Sequence, residues 1–466
     1  MVERFSVVSL FSGAGGLDLG FIMSGRYKIL IANDVEERMV KTYSINFGAK
    51  IVSRIVPNLY PQVILGDVSH LDLSSLKEDV DVIIGGPPCQ DFSILRSSTT
   101  ERGGILVKRG RLYAYFVKAL AVLQPKAFVF ENVPGLITAN EGLAYKVILD
   151  DFANLNLRWD EVGRSLGDGS KASGSVRGYA IVFNEVVEAS MFGVAQRRRR
   201  LIIVGVRKDL VKNNHAFNLS AKFRKFLLEG REVFRKYPLT TIETFEGRPL
   251  TELNEKYIEI AKEYEGIWNE VGTEKIMEWK RKIWDRLTFD VIKDYCFSNE
   301  ISPCNEREVE DIVDTFHRAV LKEIGYYGVR VSEVKVSDNS HIAPAEPPDV
   351  VAKVRMIPFG ENFEVLVGSK WELRKRGVSQ IYRRLNPLTP SYTVIAYGGG
   401  GMAMYHYERN RTALTIREKA RLQSFPDSFK FVGSLSNMKA EIGEAVPPLM
   451  SKAIAEALAR VLDELL

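Results

Sequence analysis

Cysteine and histidine are scarce in this chain, with three of the first and five of the second in 466 residues. Cys89, Cys296 and Cys304 give neither a disulfide framework nor a CxxC pair of the kind that binds zinc, so reduced thiols and no metal are expected. Long apolar runs are missing as well. No stretch approaches the ~20 residues a membrane helix needs, and the opening "MVERFSVVSLFSG" lacks the apolar core and cleavage site of a secretory signal. A cytoplasmic protein with no membrane partner is expected. A strong net charge is lacking too: the formal value is +5, but it is unevenly spread. Residues 208–350 hold 22 Lys and Arg against 27 Asp and Glu, whereas the rest of the chain carries 42 against 32. A polyanion would meet that basic remainder. What is plentiful is apolar: 45% of residues are hydrophobic, enough to bury a core over two domains.

The first two hundred residues alternate short apolar runs with helical stretches, the pattern of a parallel sheet flanked by helices. Five runs end in loops of unusual chemistry: "FSVVSLFSGAGG", "KILIANDV", "VILGDV", "DVIIGGPPC" and "AFVFENVPG". A sixth, "RLIIVGVR", follows a cluster of arginines. In open α/β sheets ligands bind beyond the carboxyl ends of the strands, so these loops should converge on one site. Residues 208–350 differ, with Lys, Glu, Trp and Tyr at helical spacing, as in "EKIMEWKRKIW"; they read as a charged helical insertion with one buried stripe. "HIAPAEPPDV" then reads as an extended linker. "TIREKARLQSFPDSF" reads as a helix stopped by Pro426, and a last helix is expected over about 448–466.

Each loop carries its own chemistry. The glycines of "FSGAGGLDLGF" allow a tight turn and close approach of backbone to a ligand, although Asp18 stands where a GxGxxG turn would have its last glycine. Asp34, at the end of the next run, suits the ribose hydroxyls of an adenosine-type ligand. Asp67 after the third run can accept from an adenine amino group, though such an aspartate is more often a helix cap. In "GGPPCQDFS", Pro87 and Pro88 fix two backbone torsions and the glycines permit a sharp bend, which holds the Cys89 thiol at a strand end. A thiol of ordinary pKa ~8.5 needs a charged or proton-accepting neighbour to react at neutral pH. Glu131 of "FENVPG" can act as a general acid toward a ring nitrogen, or with Asn132 merely hydrogen-bond the loop. The arginines of "QRRRR" (196–200) suit phosphates, a carbonyl oxygen or a carboxylate.

Taken in order, these loops resemble the cytosine-C5 DNA methyltransferase family, over most of the chain outside residues 208–350. "LTIREKARLQSFPDSF" and "IGEAVPPLMSKAIAEAL" are similar to the family's last two motifs. The resemblance implies S-adenosylmethionine as methyl donor, S-adenosylhomocysteine as product and double-stranded DNA as substrate. It implies that Cys89 adds to C6 of a flipped cytosine, that Glu131 hydrogen-bonds or protonates N3, that Arg198 holds the base O2, and that Arg200 orients its neighbours. On the cofactor side it implies that Phe11 stacks on adenine and that Gly13, Ala14, Gly15 and Gly16 approach the methionine end. Asp34 and Val35 would meet the ribose and ring, and Asp67 the adenine amino group, while Pro88, Leu112, Glu444 and Val446 line the remainder. Gln90, Ser93, Arg197 and Arg199 would touch DNA.

Two departures stand out. Glu444 in "GEAV" occupies a position where the family usually has asparagine, and a carboxylate cannot donate as an amide does. Ala195 precedes Gln196 where a proline is usual. The expected fold is α/β: a doubly wound, mostly parallel sheet of the S-adenosylmethionine-dependent methyltransferase type, with a second, target-recognition domain. The first domain is expected over residues 1–207 and 437–466, and the second over 208–436, including the acidic insertion. "SYTVIAYGGGG" is either a DNA-contacting loop or simple flexibility. A tRNA cytosine-C5 methyltransferase and a catalytically silent DNA- or cofactor-binding module are the alternative functions. A separately acting restriction endonuclease as cognate partner is left open.

Overall fold

Short, continuously apolar segments form most of the strands because these are buried on both faces, the environment of a parallel sheet covered by helices. The computed structural model describes residues 4–88, 112–155, 177–211, 216–373, 381–397 and 404–466. Its main sheet has eight strands: β1 (Phe5–Leu10), β2 (Tyr27–Asp34), β3 (Lys50–Val52), β4 (Gln62–Leu65), β5 (Val82–Gly85), β6 (Ala127–Asn132), β7 (Tyr179–Glu188) and β8 (Arg199–Arg207). Their order is β3-β4-β2-β1-β5-β6-β8-β7. The pairs β1–β2, β1–β5, β2–β4, β3–β4 and β5–β6 are parallel, while β8 runs antiparallel to both β6 and β7. The winding reverses at β1, whose neighbours are β2 and β5, and such a reversal opens a ligand crevice at the carboxyl ends of those strands. The sheet is therefore doubly wound and mostly parallel, as the sequence implies. Six strands coincide with the six apolar runs; the three-residue β3 and the half-polar β7 were not among them.

The core of this unit is aromatic. Phe116, from the helix Leu112–Leu123, meets Phe128 and Phe130 of β6 edge-on at ring-centroid distances of 5.9 and 5.4 Å, and Phe152 closes the cluster. Gly205 of β8 is required there, since a Cβ would stand 2.2 Å from the Phe128 ring. On the other face α1 (Gly16–Met23) lies against the last helix, Pro448–Asp463. A Cβ at Gly20 would strike Ser451 and the Pro448 carbonyl, and the Tyr27 hydroxyl donates to Ala455 O at 2.9 Å. The helix Ala216–Leu228 also packs here, through Phe223 on Phe183 of β7.

The chain divides into two compact units, residues 1–188, 199–230 and 445–466 in one, and 189–198 with 231–444 in the other. The first boundary falls after the helix Ala216–Leu228 rather than at 207, because that helix buries its apolar face on β7. The helix Leu435–Glu444 goes with the second unit. In that unit the acidic stretch does not stand apart. Tyr264, Ile267, Ile276 and Trp279 share one core with Met356, Ile357, Phe359, Phe363 and Tyr405. "HIAPAEPPDV" lies within the same unit, with a helix beginning at Pro348. Glu243, fully buried, caps its own helix through Thr240, accepts from Leu250 N at 3.1 Å, and pairs with the equally buried His317 at 2.9 Å.

One expectation is corrected. Cys296 and Cys304 form a disulfide, with Cα atoms 5.8 Å apart, so the cysteines are not all reduced thiols. Cys296 lies in the last turn of the helix Val291–Ser298, and Cys304 comes just before the next helix begins at Glu306, so the turn between the helices brings the two Cα atoms within bridging distance. Among the described residues no helix is long and apolar enough to cross a membrane.

Candidate active site

Four of the expected loops gather at the carboxyl ends of β1, β2, β5 and β6. After β1 the chain turns sharply: Phe11, Gly13 and Gly15 have φ of 56°, 55° and 92°. Gly15 must be glycine for a second reason, since a Cβ would lie 2.3 Å from the Phe47 ring. A Cβ at Gly13 would meet none of the described residues within 4 Å, so they leave the turn open on that side. Ala14 and Gly16 are buried and can offer only backbone. Phe11 is half-buried against the core.

Asp34 closes this turn. One carboxylate oxygen accepts from Gly13 N and the other from Glu36 N, both at 2.9 Å, and burial raises its carboxyl above the ordinary value. The strand-end acid thus ties the glycine turn to β2. Beside it Val35 is 65% exposed, a large apolar side chain with no core to fill. Asp67 caps the turn Val68–His70 by accepting from Ser69 N at 2.8 Å, and that bond holds its carboxyl below the ordinary value. The side chain is only partly engaged in this turn and sits at the strand end, where a carboxylate can also accept from a ligand. An open glycine turn, strand-end carboxylates and an exposed apolar side chain together fit an adenosine-containing molecule. Leu112 is half-buried at the start of its helix, Pro88 is exposed and Val446 is buried.

On the β5–β6 side the arrangement is tighter. Arg200 Nε lies 2.7 Å from Glu131 Oε1, and both side chains are nearly buried. The antiparallel register, with Glu131 opposite Ile202 and Asn132 opposite Leu201, brings the start of β8 alongside the end of β6. Glu131 Oε2 would be 2.5 Å from a Cβ at Gly86, so the second glycine of "GGPPC" exists to let the loop pass this carboxylate. Gly85 is equally confined, 2.5 Å from Leu10 O by the same measure. Asn132 Nδ2 donates to Pro87 O at 3.0 Å while its Oδ1 accepts from Val133 N, so its amide fastens the proline loop to the Glu131 loop. Cys89, Gln90 and Ser93 lie outside the described residues.

Burial alternates residue by residue through the arginine cluster that leads into β8. Gln196 and Arg198 are buried, while Arg197 and Arg199 are exposed without side-chain partners among the described residues. Arg198, 1% exposed, donates to Val394 O at 3.0 Å and Gly443 O at 2.8 Å. It therefore differs from the expectation that it holds a base oxygen: its guanidinium is engaged within the second unit. Gln196 works alongside it, accepting from Val394 N at 2.8 Å and donating to Leu422 O at 3.1 Å. Glu444 is exposed at the end of Leu435–Glu444 and accepts from the Tyr397 hydroxyl. Gly86, Asn132 and Gln196 were not among the expected site residues. The flanking motif was the signal for the first two, and nothing local signals that Gln196 reaches across more than two hundred residues.

Comparison with known proteins agrees with this geometry. Residues 5–460 match the family model described as C-5 cytosine-specific DNA methylase. The chain is 52% identical to the DNA (cytosine-5-)-methyltransferase M.ApeKI of Aeropyrum pernix, over 99% of this chain and 100% of that protein. It is 30% identical to the type II methyltransferase M.BbvI of Brevibacillus brevis, over 98% of this chain and 91% of that protein. The solved structure of an E. coli prophage-encoded protein, described as a DNA modification methyltransferase, superposes with a TM-score of 0.52 at 20% identity, covering 99% of this chain and all of that one, and shows the shared fold. The chain belongs to the C-5 cytosine-specific DNA methylase family, whose members are enzymes that methylate cytosine in DNA.

Proposed function

We propose that this protein methylates C5 of cytosine at one short sequence in duplex DNA, with Cys89 as nucleophile and S-adenosylmethionine as donor. The observation that carries the reading is the Arg200–Glu131 pair, set 2.7 Å apart against the glycine that leads into "PPC". S-adenosylmethionine, when bound, supplies an electrophilic methyl group. The turn at residues 11–16, Asp34, Val35 and Asp67 would hold it, and Leu112 and Val446 would close the apolar side.

The protein's own residues do the rest. C5 of cytosine is a poor nucleophile until C6 is saturated, so the Cys89 thiolate adds at C6 and is expelled again when the C5 proton leaves. Glu131, in its protonated form, donates its O–H to the ring at N3 and so neutralises the negative charge that builds there when the thiolate adds. Arg200 fixes Glu131 by a charge-assisted bond and donates through Nη1 to Arg199 O at 2.8 Å, and its Nη2 group suits the base O2. We thus give Arg200 the base-facing role and Arg198 a structural one. C6 is out of reach inside a duplex, so the target base must leave the stack, at about a few kcal/mol. Arg197 and Arg199 would offset part of that cost through phosphate contacts.

The test is to incubate the purified protein with S-adenosylmethionine and unmethylated genomic DNA, then to sequence after bisulfite conversion. Cytosines protected within one motif, and none with Cys89→Ser, are the expected result. Uniform conversion with wild-type protein would overturn the reading.

A further inference from the structure

Glu444 stands where an amide is usual in the family, and a carboxylate can only accept. The structure shows what it accepts from. The Tyr397 hydroxyl donates to Glu444 Oε1, and Tyr397 is the last residue before the four glycines at 398–401. The segment leading up to Tyr397 is fastened at each step. Ser391 N donates to Ala195 O at 2.9 Å, and Thr393 Oγ1 donates to Arg197 O at 2.8 Å. Val394 receives Gln196 at its N–H and Arg198 at its carbonyl, and Arg198 also holds Gly443 O. Gly443 is required for the next step, since a Cβ there would stand 2.2 Å from Ala396 N. The dipeptide Gly443-Glu444 is thus a docking point: Gly443 by closeness of backbone, Glu444 by its carboxylate.

Tyr397 is 60% exposed, so its ring fills no core, yet its hydroxyl is anchored. An aromatic face held in water by a bond at its far end is pre-organised for a base or sugar of DNA. From this geometry we infer that Glu444 is a positioning residue for DNA, acting through Tyr397, and not a ligand of the cofactor. The inference rests on the methyltransferase reading for its substrate.

The test uses the full chain and duplex DNA carrying the methylated motif. KM for DNA, KM for S-adenosylmethionine, kcat and DNA Kd are measured for Tyr397→Phe, Glu444→Ala, Glu444→Gln and the Tyr397→Phe/Glu444→Ala double variant. Loss of one charge-assisted hydrogen bond should raise KM and Kd for DNA about three- to tenfold in either single variant, with KM for S-adenosylmethionine and kcat unmoved. The double variant should be no worse than the poorer single one, because both remove the same bond. Glu444→Gln retains an acceptor oxygen and should restore most of the affinity. Additive losses, unchanged DNA affinity, or a raised KM for S-adenosylmethionine in Glu444→Ala with DNA affinity intact would each overturn the inference. Wild-type protein inactive on DNA would instead defeat the methyltransferase reading, and the DNA Kd series would still test the pair. Both residues are exposed, and melting temperatures of the variants verify that folding is intact.

Discussion

Asp18 shows how one side chain can be a cost the fold carries. It replaces the last glycine of a GxGxxG pattern, sits fully buried in α1, and accepts from the Tyr43 hydroxyl at 2.8 Å through Oδ1. Among the described residues its Oδ2 has no well-formed hydrogen bond, and the nearby Ser9 hydroxyl only partly offsets its burial. Burial pushes its carboxyl from 3.8 up to about 6. The folded protein therefore holds this proton more tightly than the unfolded chain, so stability falls as pH rises from about 4 to about 6 and stays lower above that. Asp18→Asn keeps the acceptor for Tyr43 and removes the charge. It should leave stability at pH 3.5 nearly unchanged and raise it at pH 7.5 by about 2–3 kcal/mol, read from urea denaturation at the two values. An equal effect at both would show that Asp18 is not the titrating group.

Secondary-structure elements in the second unit are stapled as well as packed. The disulfide joins Cys296, buried in the helix Val291–Ser298, to Cys304, which lies next to Asn305, the N-cap of Glu306–Ile312. Closing so short a loop in the unfolded chain contributes about 2 kcal/mol. Alkylation of the denatured protein without reductant should label one cysteine, Cys89, and with reductant all three. The Cys296→Ala/Cys304→Ala variant should melt a few degrees lower with its DNA sequence preference unchanged. Three labelled cysteines before reduction would refute the bond.

Charge acts over the full length of the chain. Residues 208–350 are net acidic and the remainder net basic, and the basic part includes Arg197 and Arg199, exposed and without side-chain partners among the described residues. If these arginines neutralise phosphates, the DNA association constant should fall linearly with salt on logarithmic axes. Arg197→Ala should weaken binding to specific and unrelated duplexes alike and make that slope shallower by about one. Anisotropy titrations between 50 and 300 mM salt, as a range of the order used for such slopes, would measure it. A loss confined to the preferred motif would mean that Arg197 reads a base instead.

Much of this is legible in the sequence. The strands β1, β2, β4, β5, β6 and β8 and the loops that end them follow from local chemistry: apolar runs long enough to be buried on both faces, then glycines, prolines and carboxylates within a few residues of each strand end. Glycine at 13 and 15 and the acid at 34 form one hydrogen-bonded turn for reasons that belong to those residue types. What could not be read is partner choice over distance. Arg198 and Arg200 are two residues apart in sequence, yet one reaches carbonyls nearly two hundred or more residues away and the other pairs with Glu131, because neighbouring packing offers each a different acceptor. Glu444 with Tyr397, Cys296 with Cys304 and His317 with Glu243 belong to the same class. A motif states which groups can bond; the burial and register of the elements around it select which of them do.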